Sequence, residues 1–260
     1  MSIELHPKAC PICGKVSSYT YNIGHADGNP SYWFRCNCNV IFNNTPPDGS
    51  IYDKNYLKEF NHPKVKRKFI HSAWTYGNLI ESLTYGRTML DVGYGCKETM
   101  KFMEDRGWLT YGIENNKAIG GHDNIYKGDF NTYDFSTEID EETQEELGVT
   151  RLERHFDLVW LSNVLEASLC PLITLSKAEG LLSPGGVIFI STPDIDFLTK
   201  LGVSKFPHWR PKENNVLWNE ESLRRELERL DLDVVMCRRN HLPCFTESYN
   251  LHIIAQKKYY

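Results

Sequence analysis

The sequence predicts an α/β protein: a doubly wound, mostly parallel seven-stranded sheet preceded by a small cysteine-rich subdomain. Two observations support this class. Apolar segments of strand length alternate with segments of helical periodicity from about residue 88 onward, and such alternation favours parallel pairing through right-handed crossovers. Four of the eight cysteines also fall within the first 38 residues. We therefore expect a head over residues 1–60 and a main domain, with a preceding helix, over residues 61–260.

The head is expected to consist of short strands and loops, because its aromatic residues are interrupted by turn-forming stretches such as HADGNP (25–30). Apolar residues at helical spacing predict a helix over 63–85. The acidic segment 136–154 is interpreted as a solvated insertion, with a short helix as one option. In the main domain we predict helices over 96–106, 171–182 and 220–230, and strands over 88–94, 109–115, 124–130, 156–163, 186–192, 233–239 and 251–257, the last two as an antiparallel edge pair.

Composition limits the classes of partner. The chain has 260 residues, 41% of them hydrophobic, and a formal net charge of −5. This charge gives no general electrostatic drive toward nucleic acid or an anionic membrane. No apolar run approaches the roughly 20 residues of a membrane span, and the first residues have no apolar signal segment. We expect a cytoplasmic protein.

A Gly-x-Gly turn follows the first predicted strand of the main domain. Gly93 and Gly95 stand where a parallel sheet meets the next helix, and glycine allows the backbone to approach a ligand closely there. Glu114 ends the second strand, a position from which an acid accepts hydrogen bonds from ribose hydroxyls. Asp129 and Phe130 end the third strand and are suited to an adenine ring. Together these strand ends predict a nucleoside site.

The segments LDVGYG, GIENN, GDF and FDLVWLSNVLEASLCPLITLSKAEGLLSPGGVIFISTPD resemble the class I S-adenosylmethionine-dependent methyltransferases over residues 70–258. The resemblance implies a Rossmann-like fold and S-adenosylmethionine as the cofactor. It also implies that Asp91 orients the glycine loop, that Asn163 faces the methyl-donor side, and that the segment 205–215 covers the acceptor. The cofactor-binding residues it implies are Asp91, Gly93, Tyr94, Gly95, Lys97, Glu114, Asn115, Asp129, Phe130 and Asn163.

Two departures from the family's pattern affect the expected chemistry. Lys97 replaces the third glycine of the loop, where it either reaches the cofactor carboxylate or points to solvent. Ala167 stands where this branch commonly has a histidine after Leu-Glu. The candidates for a catalytic group are therefore Glu166 and His208, the latter titratable near neutral pH or simply holding its loop.

The cysteine cluster predicts a structural zinc site. Cys10 and Cys13 in CPICG form a zinc knuckle, and Cys36 and Cys38, two residues apart, share a face when the chain is extended. A site with three cysteines and a site without metal stay open as alternatives. The head also resembles the zinc-binding segment that precedes some of these methyltransferases, with IYDKNYL as its aromatic stretch. Four thiolates leave no exchangeable position for catalysis.

The sequence thus predicts methyl transfer to a small-molecule or sugar-type acceptor. Two alternatives stay open. The basic run KVKRK, residues 64–68, permits a nucleic-acid-modifying enzyme, although the fourth strand has no NPPY-like motif. A non-catalytic scaffold or binding protein that uses the same fold is the other. Neither the acceptor nor the oligomeric state follows from the sequence.

Overall fold

The computed structural model describes residues 8–17, 19–24, 30–43, 63–95, 97–116, 119, 124–138, 151–206, 208–239 and 249–259. The aromatic stretch 51–57 and Cys96 lie outside these residues, as do the side chains of the basic run 64–68. Within the described residues no helix is long and apolar enough to cross a membrane.

A seven-stranded, mostly parallel sheet forms the main domain, as predicted. The strands are β6 Thr88–Val92, β7 Leu109–Glu114, β8 Ile125–Lys127, β11 Phe156–Ser162, β12 Leu182–Pro193, β14 Leu232–Arg239 and β15 Asn250–Lys257. Their order in the sheet is β14-β15-β12-β11-β6-β7-β8. The five strands from β12 to β8 are parallel, and β15 inserts between β12 and β14 and is antiparallel to both, so the predicted edge pair is present.

Helices cover both faces of the sheet. Two of them begin at a local start signal: α3 has proline in its first turn, and α5 starts at a capping box in which Asn219 and Ser222 exchange side-chain and backbone hydrogen bonds. The helices are α1 Pro63–Leu83, α2 Glu98–Glu104, α3 Pro171–Gly180, α4 Ile195–Leu201 and α5 Glu220–Arg229.

The main core has two layers, one on each face of the sheet. Successive residues of a strand point to opposite faces, and β11 shows this directly. Leu158 and Trp160 pack in the layer under α1, whereas Val159 and Leu161 pack in the other layer. The Trp160 ring stacks on Phe189 of β12 at a centroid distance of 3.8 Å. Burial on both faces explains why the central strands are almost continuously apolar.

The head contains two small antiparallel sheets. One pairs β1 Lys8–Ala9 with β2 Val16–Ser17. The other contains β3 Tyr19–Gly24, β4 Pro30–Arg35 and β5 Ile41–Asn43, and its fourth strand is β13 Val216–Leu217 from the main domain. Trp33 and Ile41 of the head share a core cluster with Phe197 of α4. The head is therefore packed against the main domain and continuous with it through one sheet.

The two ends of the predicted insertion 136–154 pair as strands, which the sequence did not predict: β9 Ser136–Glu138 pairs antiparallel with β10 Arg151–Glu153. The short helix would fall on residues 139–150, which lie outside the described part of the chain, so it stays a prediction. The charged composition of the segment does not signal the pairing of its ends.

Candidate active site

A cavity of about 440 Å³ opens at the carboxyl ends of β6, β7, β8 and β11. This is the edge of a parallel sheet at which ligands bind. Gly93, Glu114 and Asp129, which follow or end three neighbouring strands, all line it. The other predicted cofactor-binding and catalytic residues in its wall are Gly95, Asn115, Phe130, Asn163, Glu166 and His208.

The glycine turn after β6 brings the backbone to the cavity wall. Gly93 has a φ of 64°, and its amide donates to the Ile113 carbonyl at 2.8 Å. A Cβ atom added to Gly93 would lie 3.2 Å from Cγ2 of Val164. A residue with a side chain would therefore meet both backbone strain and close packing at this position.

Asp91 and Glu114 form an acidic pair below the turn. Burial raises the pKa of Asp91 well above its usual range, and the Glu114 carboxylate raises it further. Burial also raises the pKa of Glu114, although backbone amides, first that of Asn116, oppose this shift. The Asn116 amide donates to Oε1 of Glu114 at 2.9 Å. This bond orients the carboxylate of Glu114 in the cavity wall, while Asp91 lies outside the lining.

Asp129 and Phe130 follow β8 and contribute different surfaces. The Asn131 amide donates to Oδ1 of Asp129 at 2.8 Å, an Asx turn that orients an exposed carboxylate. Phe130 is 8% exposed, and its ring packs against that of Phe135 at a centroid distance of 6.0 Å. The cavity thus has a hydrogen-bond acceptor beside an aromatic wall, a combination suited to a purine base.

Tyr94 and Lys97 lie near the turn but not in the cavity lining. The Tyr94 side chain is buried beneath the turn and lies so close to Gly112 that a Cβ atom added there would be 2.6 Å from the Tyr94 ring. Burial raises the pKa of Tyr94 to about 12. Lys97 precedes α2 with a φ of 62°, so the helix begins at Glu98 rather than at residue 96. A cofactor-binding role for these two residues stays a prediction.

Asn163 and Glu166 follow β11 on the other side of the cavity. Asn163 has a φ of 55°, and its Oδ1 accepts from Nδ2 of Asn250 at 3.0 Å. Glu166 is 3% exposed, and its Oε2 accepts from the Thr192 hydroxyl at 2.9 Å. Ala167 lines the wall beside it. The carboxyl group of Glu166 is therefore held in place next to the position where the family commonly has histidine.

The segment 208–215, which we name the pocket loop, closes this side of the cavity. The His208 carbonyl accepts from the Arg210 amide and from Nδ2 of Asn214, both at 2.9 Å. Arg210 forms an ion pair with Glu213 at 3.0 Å. His208, Arg210, Glu213 and Asn214 all line the cavity. The loop therefore presents a titratable ring and two charges to the cavity.

The sequence did not identify one polar cluster in the wall. The Thr174 hydroxyl lies 2.9 Å from Oδ1 of Asn131 and 2.7 Å from the Ser168 hydroxyl. All three residues line the cavity. They belong to no motif, and the only available signal was that Asn131 and Ser168 come shortly after strand ends.

The four predicted cysteine ligands meet in the head. All their sulfur atoms lie within 4.8 Å of one another; the distance is 3.6 Å for Cys10 and Cys38 and 3.4 Å for Cys13 and Cys36. Four sulfurs at about 2.3 Å from one zinc ion would be roughly 3.8 Å apart, so the set fits a tetrahedral ion. Burial raises the pKa of Cys10 to about 11 and also raises that of Cys38.

In a comparison with protein families, the methyltransferase domain model matches residues 59–236. A comparison with curated protein sequences found no significant match.

Solved structures share the fold at low sequence identity. An S-adenosylmethionine-dependent methyltransferase from Archaeoglobus fulgidus aligns with a TM-score of 0.53 and 18% identity, covering 79% of this chain and 100% of that one. The PH0226 protein from Pyrococcus horikoshii aligns with a TM-score of 0.54 and 12% identity, covering 79% of this chain and 100% of that one. Magnesium protoporphyrin IX methyltransferase from Synechocystis, with bound S-adenosylhomocysteine, aligns with a TM-score of 0.51 and 14% identity, covering 75% of this chain and 84% of that one. These similarities support the fold.

Proposed function

The chain belongs to the methyltransferase domain family, and we propose that it transfers a methyl group from S-adenosylmethionine to a small-molecule or sugar-type acceptor. One observation carries the proposal: Gly93, Glu114 and Asp129 line the same cavity as Glu166 and His208. A nucleoside-binding wall and a wall with titratable groups therefore face one enclosed space.

The cofactor wall is suited to an adenosyl group. The carboxylate of Glu114 would accept hydrogen bonds from ribose hydroxyls, and the Asn116 amide keeps it oriented for this. Asp129 would accept from the adenine amino group while Phe130 covers the ring. Gly93 and Gly95, which have positive φ values, let the backbone pass close to the methionine part.

The opposite wall would position the acceptor. When bound, S-adenosylmethionine supplies an electrophilic methyl group whose bond to sulfur breaks, with the electron pair remaining on sulfur, as the bond to the acceptor forms. The chain needs to hold the acceptor in line and to take up a proton where the nucleophile carries one. Glu166 and His208 are the proposed groups for that proton. Asn163, held by Asn250, would orient the donor side.

The cavity favours a small acceptor. Its volume of about 440 Å³ is at the lower end of the range for sites that enclose a small ligand. The net charge of −5 gives no drive toward a polyanion. The Synechocystis relative named above acts on magnesium protoporphyrin IX, a small molecule, which is consistent with this class of acceptor.

The head is proposed to bind a structural zinc ion through Cys10, Cys13, Cys36 and Cys38. The fit of four sulfurs to a tetrahedral ion supports this assignment. A four-thiolate site would stabilise the head and take no part in methyl transfer.

Two measurements test the proposal. Calorimetric titration with S-adenosylmethionine should give saturable binding, whereas a flat titration at millimolar cofactor would favour the scaffold alternative. A mass-shift screen over metabolites, sugars and nucleic acid should then give a 14-dalton gain on a small molecule, the mass of the CH₂ added. A gain found only on nucleic acid would overturn the acceptor class.

A further inference from the structure

The pocket loop is attached to the head by a shared sheet. The chain runs from Asn215 directly into β13, and β13 pairs antiparallel with β5 of the head, with Val216 opposite Phe42. The side of the pocket that we assign to the acceptor is therefore continuous with the cysteine-rich head.

Asn43, the last residue of β5, forms hydrogen bonds to the loop. It is 5% exposed. Its backbone amide donates to the Asn215 carbonyl at 2.8 Å, and its Nδ2 lies 2.6 Å from the Pro211 carbonyl and 3.4 Å from the Asn214 carbonyl. One head residue thus binds the turn between the cavity-lining residues Arg210 and Asn214.

The same turn connects Asn43 to Glu166. The Asn215 amide donates to the Glu166 carbonyl at 2.6 Å, while the Asn215 carbonyl accepts from Asn43. A single peptide segment therefore links the end of β5 to the backbone of the buried acid in the cavity wall. A shift of Asn43 would move both.

A second contact fixes the loop from the same sheet. Trp33 of β4 is fully buried, and its ring lies 4.6 Å from that of Trp209, centroid to centroid. Trp209 stands between His208 and Arg210. The loop is thus held by β4 at one end and by β5 at the other.

The four-cysteine cluster includes the turn between these two strands. Cys36 and Cys38 lie in the turn that joins β4 to β5, where the Cys36 amide donates to the Val40 carbonyl at 2.9 Å. Arg225 of α5 donates to the Cys38 carbonyl at 2.9 Å. A metal ion held by these two sulfurs and those of Cys10 and Cys13 would fix the turn that sets Trp33 and Asn43 relative to each other.

We propose that Asn43 is a positioning residue of the pocket loop, and that metal binding by the four cysteines holds the loop in place through Asn43 and Trp33. The link between head and loop rests on the geometry above. Its significance for the acceptor rests on the proposed function.

Hydrogen–deuterium exchange on the full zinc-loaded chain tests the proposal. Asn43→Ala removes two side-chain hydrogen bonds and leaves the four cysteines intact, while Asn43→Asp places an acceptor against two carbonyls. Both should raise the exchange rate of amides in residues 208–215 at least tenfold, with zinc content unchanged. Removal of zinc by a chelator should raise it further, and added zinc should reverse the change.

A control separates positioning from general destabilisation. Thr84→Ala also removes two side-chain hydrogen bonds, one donated to the Ile80 carbonyl and one accepted from Nη1 of Arg87, both at 3.2 Å, but Thr84 lies at the amino-terminal edge of the sheet. It should leave exchange in 208–215 unchanged. Equal exchange of these amides in wild type, both Asn43 variants and the zinc-free chain would overturn the proposal, as would a tenfold rise in the Thr84 variant.

Cofactor titrations keep this proposal distinct from the proposed function. Asn43 lies outside the cofactor wall, so its variants should change the Kd for S-adenosylhomocysteine less than threefold. Absence of cofactor binding in the wild type, with the exchange differences still present, would refute the methyltransferase proposal and leave the link standing. Normal cofactor binding without exchange differences would refute only the link.

Discussion

The two walls of the pocket are built in different ways. The cofactor wall comes from residues 93–130, where strands that are consecutive in the chain are also neighbours in the sheet. The opposite wall combines Glu166, the pocket loop and, behind the loop, Asn43. The Asn43 side chain reaches a carbonyl 168 residues away in sequence. The first wall depends on local turns at strand ends, and the second depends on the docking of one subdomain against another.

Because the two walls are built differently, we expect mutations in them to have different consequences. Changes in the cofactor wall should act on ligand affinity at single sites, because the sheet beneath it is a continuous core. Changes behind the pocket loop should act on stability and on loop order, because Asn43, Trp33 and the pairing of β5 with β13 join the loop to the head sheet. The following predictions test that distinction, from the largest expected effect to the smallest.

Trp33→Ala should have the largest effect and should act on stability. The ring is fully buried and packs on Trp209, so its removal is expected to lower the free energy of unfolding by about 3–5 kcal/mol. Urea denaturation measures this. A loss below about 1 kcal/mol would mean that the head does not support the rest of the chain.

Gly93→Ala should reduce the affinity for S-adenosylmethionine about 30-fold, or about 2 kcal/mol, because the new Cβ forces a strained turn against Val164 and the cofactor. Calorimetry measures the change. Gly107→Ala is the matched control, since Gly107 has a φ of 85° and no atom within 4 Å of an added Cβ. It should lower stability alone. Equal losses of affinity in both variants would contradict the assigned role of Gly93.

Glu114→Ala should weaken S-adenosylmethionine binding at least tenfold, about 1.4 kcal/mol for a lost ribose contact. Glu179→Ala serves as the control, because that carboxylate pairs with Lys257 at 2.9 Å and does not line the cavity. Titration of both variants at one pH is sufficient. Unaltered affinity in the Glu114 variant would remove the ribose assignment.

The affinity should also fall on acidification, beginning at a higher pH than for a site with an ordinary carboxyl group. Burial raises the pKa of Glu114 and of the adjacent Asp91, so they take up protons at higher pH than ordinary carboxyl groups, while Lys127 opposes the shift at Glu114. Ribose hydroxyls bind the charged form, so protonation of Glu114 opposes binding. Calorimetric titrations with S-adenosylmethionine between pH 7 and pH 5 should show a smaller pH dependence of the affinity in Glu114→Gln than in the wild type. An equal pH dependence in the two proteins would mean that another group causes the effect.

Lys97→Gly should have the smallest effect. Lys97 does not line the cavity, so the loss in cofactor affinity should stay below about threefold. Glycine also relieves the positive φ, which should raise the free energy of unfolding by about 1 kcal/mol. Thermal denaturation measures the change in stability, and calorimetry on the same preparation measures the change in cofactor affinity. A tenfold loss of affinity would show that the lysine reaches the cofactor.

Most of the fold and much of the cofactor wall could be predicted from the sequence, because their signals are local. Alternating strand and helix patterns predicted the sheet, and Gly93, Glu114 and Asp129 stand at strand ends that parallel pairing brings to one edge. Cys10 and Cys13 form a knuckle within four residues. These three residues reach the cavity once neighbouring strands pair in their order along the chain.

The remaining features required the tertiary structure. Residues 136–138 and 151–153 pair as strands, and nothing in the charged sequence of this segment predicts that pairing. Thr174, Asn131 and Ser168 meet only because α3 and two strand ends face each other.

By itself the sequence determined the methyltransferase sheet, the glycine turn with its acids, and the four cysteines near the amino terminus, since each follows from hydrophobic period or short-range spacing. Only the tertiary structure decided that β13 completes the sheet of the head and that Asn43 binds the pocket loop. The reason is physical. Pairing between β5 and β13 depends on backbone groups that every residue carries, so no side-chain pattern in either segment specifies its distant partner.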